Sequence, residues 1–134
     1  MSNDILVFRL ASQRYGLPVQ RVIEVVHMVA VTALPDLPAG MVGVINYRGD
    51  VIPLLDLRQA LEVPAAKVRL STPIIIARND QQRFVGLLVD QVEGVESTEA
   101  GIQSEVNTRH VNGITKITDR MILMINLNDF ELRV

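Results

Sequence analysis

The two halves of this chain match at an offset of 70 residues, and that repeat limits the fold more than any single motif does. Gly16-Leu17 corresponds to Gly86-Leu87. Val19, Val22 and Val25 correspond to Val89, Val92 and Val95. Gly43 corresponds to Gly113, Ile52 to Ile122 and Leu57 to Leu127. The turn Gly49-Asp50 stands opposite Asp119-Arg120, and Asp56 opposite Asn126. A few valines would coincide by chance in so apolar a chain. Glycines, turn residues and aliphatics that keep one offset point instead to a duplicated unit. The halves run over roughly 1–64 and 71–134 of a single domain.

Each half reads as about five short strands and one short helix. In the first, Ile5 to Leu10 is a strand, and Tyr15 to Pro18 resumes the extended pattern after a polar turn. Val19, Val22, Ile23 and Val26 then follow at helical spacing, so the pattern predicts a short helix opened by Pro18. Val29 to Leu34 is β-rich, and a loop stiffened by Pro35 and Pro38 leads to a hairpin from Met41 to Leu57. A second short helix follows, with Asp56 as its N-cap. In the second half, strands are expected over Pro73 to Ala77 and Phe84 to Val89, with a weaker strand or helical turn over Val92 to Glu99. Gly101 to Val111 reads as a loop, Gly113 to Ile125 as the second hairpin, and Asn126 to Leu132 as a terminal helix. Short strands with sharp turns suit a small closed or nearly closed barrel. A half of about 65 residues buries too little to stand alone. Two barrels packed together are therefore expected, with a terminal strand free to cross between them and a groove at the seam where ligands would sit.

The residue inventory narrows the function. Apolar residues make up 49% and the net charge is −2, which does not suit a nucleic-acid protein. There is no cysteine, hence no disulfide framework, thiolate nucleophile or cysteine zinc site. No apolar run approaches the roughly 18 residues of a membrane span. His27 and His110 lack a carboxylate or serine pattern, no phosphate-cradling glycine motif is present, and Glu93, Glu96 and Asp90 read as solvated. Neither catalysis nor a cofactor is indicated. What remains is a binding module, or less favourably a small-molecule-binding double barrel.

Its candidate sites are polar residues set into apolar elements. The hairpin needs Gly49 and Asp50 for its turn, but not Asn46 or Arg48. Arg48 is either a contact or a hairpin residue paired with Asp50. Asn46 is suited to bonding its own turn backbone. Glu24 lies in the expected Val19–Val26 helix. The second hairpin carries Lys116 and Thr118 where the first carries Asn46 and Arg48, so the scaffold is repeated and these side chains are not.

The order YGLPVQRVIEV, VTALPDLPAGMVGVINYRGDVIPLLDLR, VGLLVDQVEGV, GITK and MILMINL resembles the CheW-like domain family of chemotaxis coupling proteins, over almost the whole chain. The segment Gly43 to Arg58 carries the most specific part. The resemblance implies an all-β fold with short helices: two five-stranded SH3-like β-barrels packed around a shared hydrophobic core. It implies a non-enzymatic adaptor without cofactors, cytoplasmic and recruited to membrane-associated receptor arrays without inserting itself. Its partners would be the regulatory domain of a CheA-type histidine kinase and the cytoplasmic tip of methyl-accepting chemoreceptors. A related chemosensory system controlling twitching or a second messenger is the alternative output. By matching position, the binding candidates are Gly43, Asn46, Arg48 and Gly49 in the signature, Val22 and Glu24 before it, Val31 and Thr32 at a kinase-facing strand edge, and Val89 and Asp90 near the groove. Tyr47 stands where an aliphatic residue is usual, and His27-Met28 replaces a more polar stretch. With no room for a kinase or receiver domain, a stand-alone chain or one domain of a longer chain is expected.

Overall fold

The computed structural model describes residues 3–27, 29–64, 67–98, 108, 110–130 and 132. Ten strands are present among them: β1 (Asp4–Leu10), β2 (Gln13–Pro18), β3 (Val22–His27), β4 (Met41–Tyr47), β5 (Asp50–Asp56), β6 (Pro73–Arg78), β7 (Phe84–Leu88), β8 (Gln91–Ser97), β9 (Val111–Ile117) and β10 (Arg120–Ile125). One α-helical turn, α1 (Leu57–Ala60), follows β5, and 3-10 turns span Val19–Arg21 and Leu127–Asp129. The strands form two five-stranded sheets, ordered β8-β1-β2-β10-β9 and β3-β6-β7-β5-β4.

The sheets do not coincide with the halves. Each takes a hairpin from one half, β1-β2 or β6-β7, and three strands from the other. The exchange is made by two antiparallel pairings, β1 with β8 and β3 with β6, and two parallel ones, β2 with β10 and β5 with β7, the parallel pairs at equivalent registers: Gly16 opposite Met124, and Gly86 opposite Leu54. The expectation was one barrel per half with at most a terminal strand crossing, whereas a whole hairpin crosses each way. The repeat makes β5 and β10 near-identical partners for β2, so local pattern cannot choose between them. The exchange ties the halves into one structure.

Each sheet buries two faces. Along β1, Leu6, Phe8 and Leu10 enter the core shared by both sheets, while Ile5 and Val7 pack with Ile122 and Met124 inside the first sheet. Along β6, Ile75 and Ala77 join the shared core, and Ile74 and Ile76 pack with Ile45, Ile52 and Leu54 inside the second. Period-2 alternation between two apolar faces is what makes these strands read as unbroken aliphatic runs. Each fully buried Leu, Ile or Phe contributes about 1.5–3 kcal/mol, while Val51, Leu70, Val95 and Met121 stay exposed.

Three local expectations are corrected. Val19–Val26 is not a helix but one 3-10 turn followed by β3, which pairs antiparallel with β6. Four of its six residues are β-branched, which favours the strand. A bulge between Val22 and Glu24 breaks the alternation, so the apolar residues fall at a spacing that mimics a helix. The first hairpin turns on Arg48-Gly49, not Gly49-Asp50, because Asp50 pairs with Tyr47. Both turn residues have positive φ, 50° and 88°, which is the type I′ geometry that matches strand twist. The terminal helix shrinks to Leu127–Asp129. Of Val29–Leu34, only Thr32 is bridged, to Val44 of β4. The loop expected from Gly101 lies largely outside the described residues.

The Asp56 cap is present, its carboxylate accepting the Arg58 N–H at 3.0 Å. α1 ends in a Schellman motif: the Val63 N–H donates to the Arg58 carbonyl and the Glu62 N–H to that of Gln59. Glu62 therefore sits at φ 58°, where a Cβ is strained. Glu62→Gly is expected to raise stability by about 1 kcal/mol, read as a higher denaturation midpoint at unchanged slope.

Candidate interaction site

β3 and β4 lie at opposite ends of the second sheet's order, yet their side chains meet, so the sheet curls back on itself. The Tyr47 hydroxyl, at the end of β4, donates to Glu24 Oε1 on β3. Arg48 Nη2 reaches the same oxygen at 2.9 Å. The guanidinium carbon lies 5.3 Å from the Tyr47 ring centroid, within cation–π range. The hydrogen bond to Glu24, then burial, raises the Tyr47 hydroxyl pKa above its ordinary value. Arg48 thus pairs across the curl with Glu24 rather than locally with Asp50. Its side chain is still 71% exposed and that of Glu24 34%. Exposed pairs of this kind contribute about 0–1 kcal/mol. The arrangement orients a charged pair at the surface more than it stabilises the fold. The first sheet spans its own curl differently, with Arg120 of β10 paired to Glu96 of β8.

The rest of the signature holds this display in shape. Asn46 Oδ1 accepts the Gly49 N–H at 3.0 Å and closes the turn. Gly49 has open space around it and is required only for its positive φ. Gly43 is required for contact: a Cβ there would collide with the Thr32 carbonyl oxygen and press on Val31. That close approach lets Thr32 and Val44 exchange two backbone hydrogen bonds, each 2.9 Å. The chain beyond β3 thereby covers the free edge of β4, with Thr32 exposed and Val31 packed inward. Val22 is half-buried against the shared core.

Val89 and Asp90 belong to the fold. Val89 has no exposed surface, so the expectation of a partner contact there is not carried forward. Asp90 is a staple: Oδ2 accepts the Ala11 N–H at 2.7 Å, and Oδ1 accepts Arg58 Nη1 at 3.1 Å. Arg58 is 2% exposed and bonds Asp56 through Nε at 2.9 Å and Nη2 at 3.1 Å. These hydrogen bonds, the one to Asp56 foremost, raise its pKa above the ordinary value. The triad joins α1 to the β7-β8 connection and the β1-β2 turn. Sequence reasoning placed Arg58 in the motif but missed its role. It also treated Tyr47 as a departure, although a hydroxyl at that position is what reaches Glu24.

A curled all-β scaffold that holds a charged hairpin tip in the open is a protein-interaction module. The chain belongs to the CheW-like domain family, whose model matches residues 4–131. It is 34% identical over 132 residues to the probable chemotaxis protein CheW of Rhizobium etli, covering 93% of this chain and 84% of that one. The chemotaxis protein CheW of Rhizobium meliloti is 30% identical over 133 residues, covering 94% and 85%. The crystal structure of the scaffolding protein TtCheW from Thermoanaerobacter tengcongensis superposes with a TM-score of 0.86 at 35% identity, over 95% of this chain and 90% of that one.

Proposed function

We propose that this chain is a non-enzymatic coupling adaptor of chemotaxis signalling, which holds the regulatory domain of a CheA-type histidine kinase to the cytoplasmic tip of methyl-accepting chemoreceptors. The observation that carries this is the Glu24–Tyr47–Arg48 brace. A charged side chain is held in one direction by a pair, a ring and a type I′ turn, yet stays open to solvent. Pre-ordering of this kind lowers the entropy lost on binding. The edge at Val31-Thr32 beside it offers the strand-side surface toward the kinase, and Glu24 and Arg48 the charged contacts. No helix among the described residues is long and apolar enough to cross a membrane, and placement at receptor arrays would follow from the receptor contact.

Arg48→Ala is expected to weaken binding to the kinase regulatory domain or to a receptor fragment by about tenfold, or 1.4 kcal/mol. Fold stability should change by no more than about 1 kcal/mol. Isothermal titration against each partner, with urea denaturation alongside, checks both numbers. The swap Glu24→Arg with Arg48→Glu separates contact from brace. A contact is not restored by the swap, whereas a purely internal brace is. Full binding by the swapped protein would remove these residues from the interface.

A further inference from the structure

The repeat places two equivalent clasps at the seam, and in the second Asn128 closes on Asp80, its Nδ2 donating to Asp80 Oδ2 at 2.7 Å. At the first, the Ala11 N–H of the β1-β2 turn donates to Asp90, which Arg58 ties to Asp56. The pairing registers set Val7 opposite Gly16 and Ile76 opposite Gly86, which makes Asp80 of the β6-β7 turn the equivalent of Ala11. The Asp80 N–H donates to Asn128 Oδ1 at 3.1 Å, and Asn128, like Arg58, has its own N–H capped by the residue two before it. Asn128 is shorter than Arg58, and cavities of about 650 Å³ and about 170 Å³ open on either side of it.

One buried side chain is aimed into that space. Asn79 is 6% exposed and lines both cavities. Its Oδ1 accepts the N–H groups of Gln81 at 2.9 Å and Arg83 at 3.0 Å, which fixes its orientation. Its Nδ2 has no bonding partner among the described residues and is free to donate to a ligand in the cavity. Arg83 also lines the larger cavity, and no ion pair holds it among the described residues. Among the described lining residues Asp80 is the carboxylate, and it is paired with Arg21 and Asn128. Phe130 and Leu132 form an apolar wall.

We propose that this cavity is a carboxylate-binding site, which takes an anionic acceptor on Asn79 Nδ2 and Arg83 and an adjoining apolar group on Phe130 and Leu132. The same chemistry is offered by an acidic residue within a peptide and by a small apolar carboxylic acid. The site is separate from Glu24 and Arg48 and does not depend on the adaptor reading.

The test is a titration of the full chain, labelled with ¹⁵N, with N-acetyl-leucine and with the acetylated, amidated tripeptide Leu-Glu-Leu, using N-acetyl-leucinamide as the uncharged control. Saturable shifts of the Asn79 side-chain amide and the Arg83 Nε–H are expected, with Kd on the order of 1–10 mM for at least one acid. Which acid binds more tightly names the source. Arg83→Gln should weaken binding about tenfold. Asn79→Asp keeps the acceptor for the turn but replaces the donor by an anion, and should abolish binding. Equal shifts with acid and amide, no shift with either acid, or undiminished binding by Arg83→Gln would overturn the proposal. The arginine variant keeps the test decisive if the Asn79 variant does not fold.

Discussion

Arg58→Ala is expected to lower the folding free energy by about 3–5 kcal/mol. Arg58 is 2% exposed and satisfies three carboxylate oxygens across two elements. Removing it takes the paired cation from the buried Asp56 carboxylate and from part-buried Asp90. Domains of this size are stable by about 5–15 kcal/mol, so the variant would sit near the edge of folding at 37 °C. Guanidinium denaturation should show a much lower midpoint at unchanged slope. The cause has its own check. Arg58→Met combined with Asp90→Asn should lose less than Arg58→Met alone, because the second change removes one of the orphaned charges. A loss below about 1 kcal/mol for Arg58→Ala, the range of a surface pair, would show that the triad does not hold the seam.

Gly43→Ala is the second large effect, expected at about 2–4 kcal/mol from the forced collision and the loss of the Thr32–Val44 hydrogen bonds. Gly49→Ala is the control. It has the same left-handed requirement but open space around it, and should cost only about 1 kcal/mol. Hydrogen exchange distinguishes the two: Thr32 and Val44 amides lose protection in the Gly43 variant and keep it in the Gly49 variant. Equal losses would mean that the edge segment is not held by that approach. Because this segment flanks Glu24 and Arg48, the Gly43 variant should also weaken partner binding beyond what its stability explains.

Much of this was legible from residues alone. Strand positions followed from β-branched runs between turn residues, and the offset of 70 foretold equivalent hairpins, although β9 starts at Val111, which reads from sequence as the end of a loop. The hairpin was identifiable from its β-branched runs around a glycine turn, but the turn itself uses Arg48 and is closed by Asn46, both of which a reading of Gly49-Asp50 as the turn leaves out. Three things were hidden, each for a physical reason. The exchange of hairpins between sheets was hidden because equivalent strands make equivalent partners. β3 was hidden by its bulge, which gave a strand the spacing of a helix. The partners of Arg48 and Arg58 were hidden because Glu24 and Asp90 come together with them only through the curl of one sheet and the seam between two.

A coupling adaptor must hold two partners at once. Sedimentation velocity tests it most directly, with the chain mixed with a kinase regulatory domain, with a receptor cytoplasmic fragment, and with both. A complex is expected in each pairwise mixture, and a single larger species containing all three in the last. Competition of the two partners for the chain, or no complex with either at about 100 μM, would contradict it.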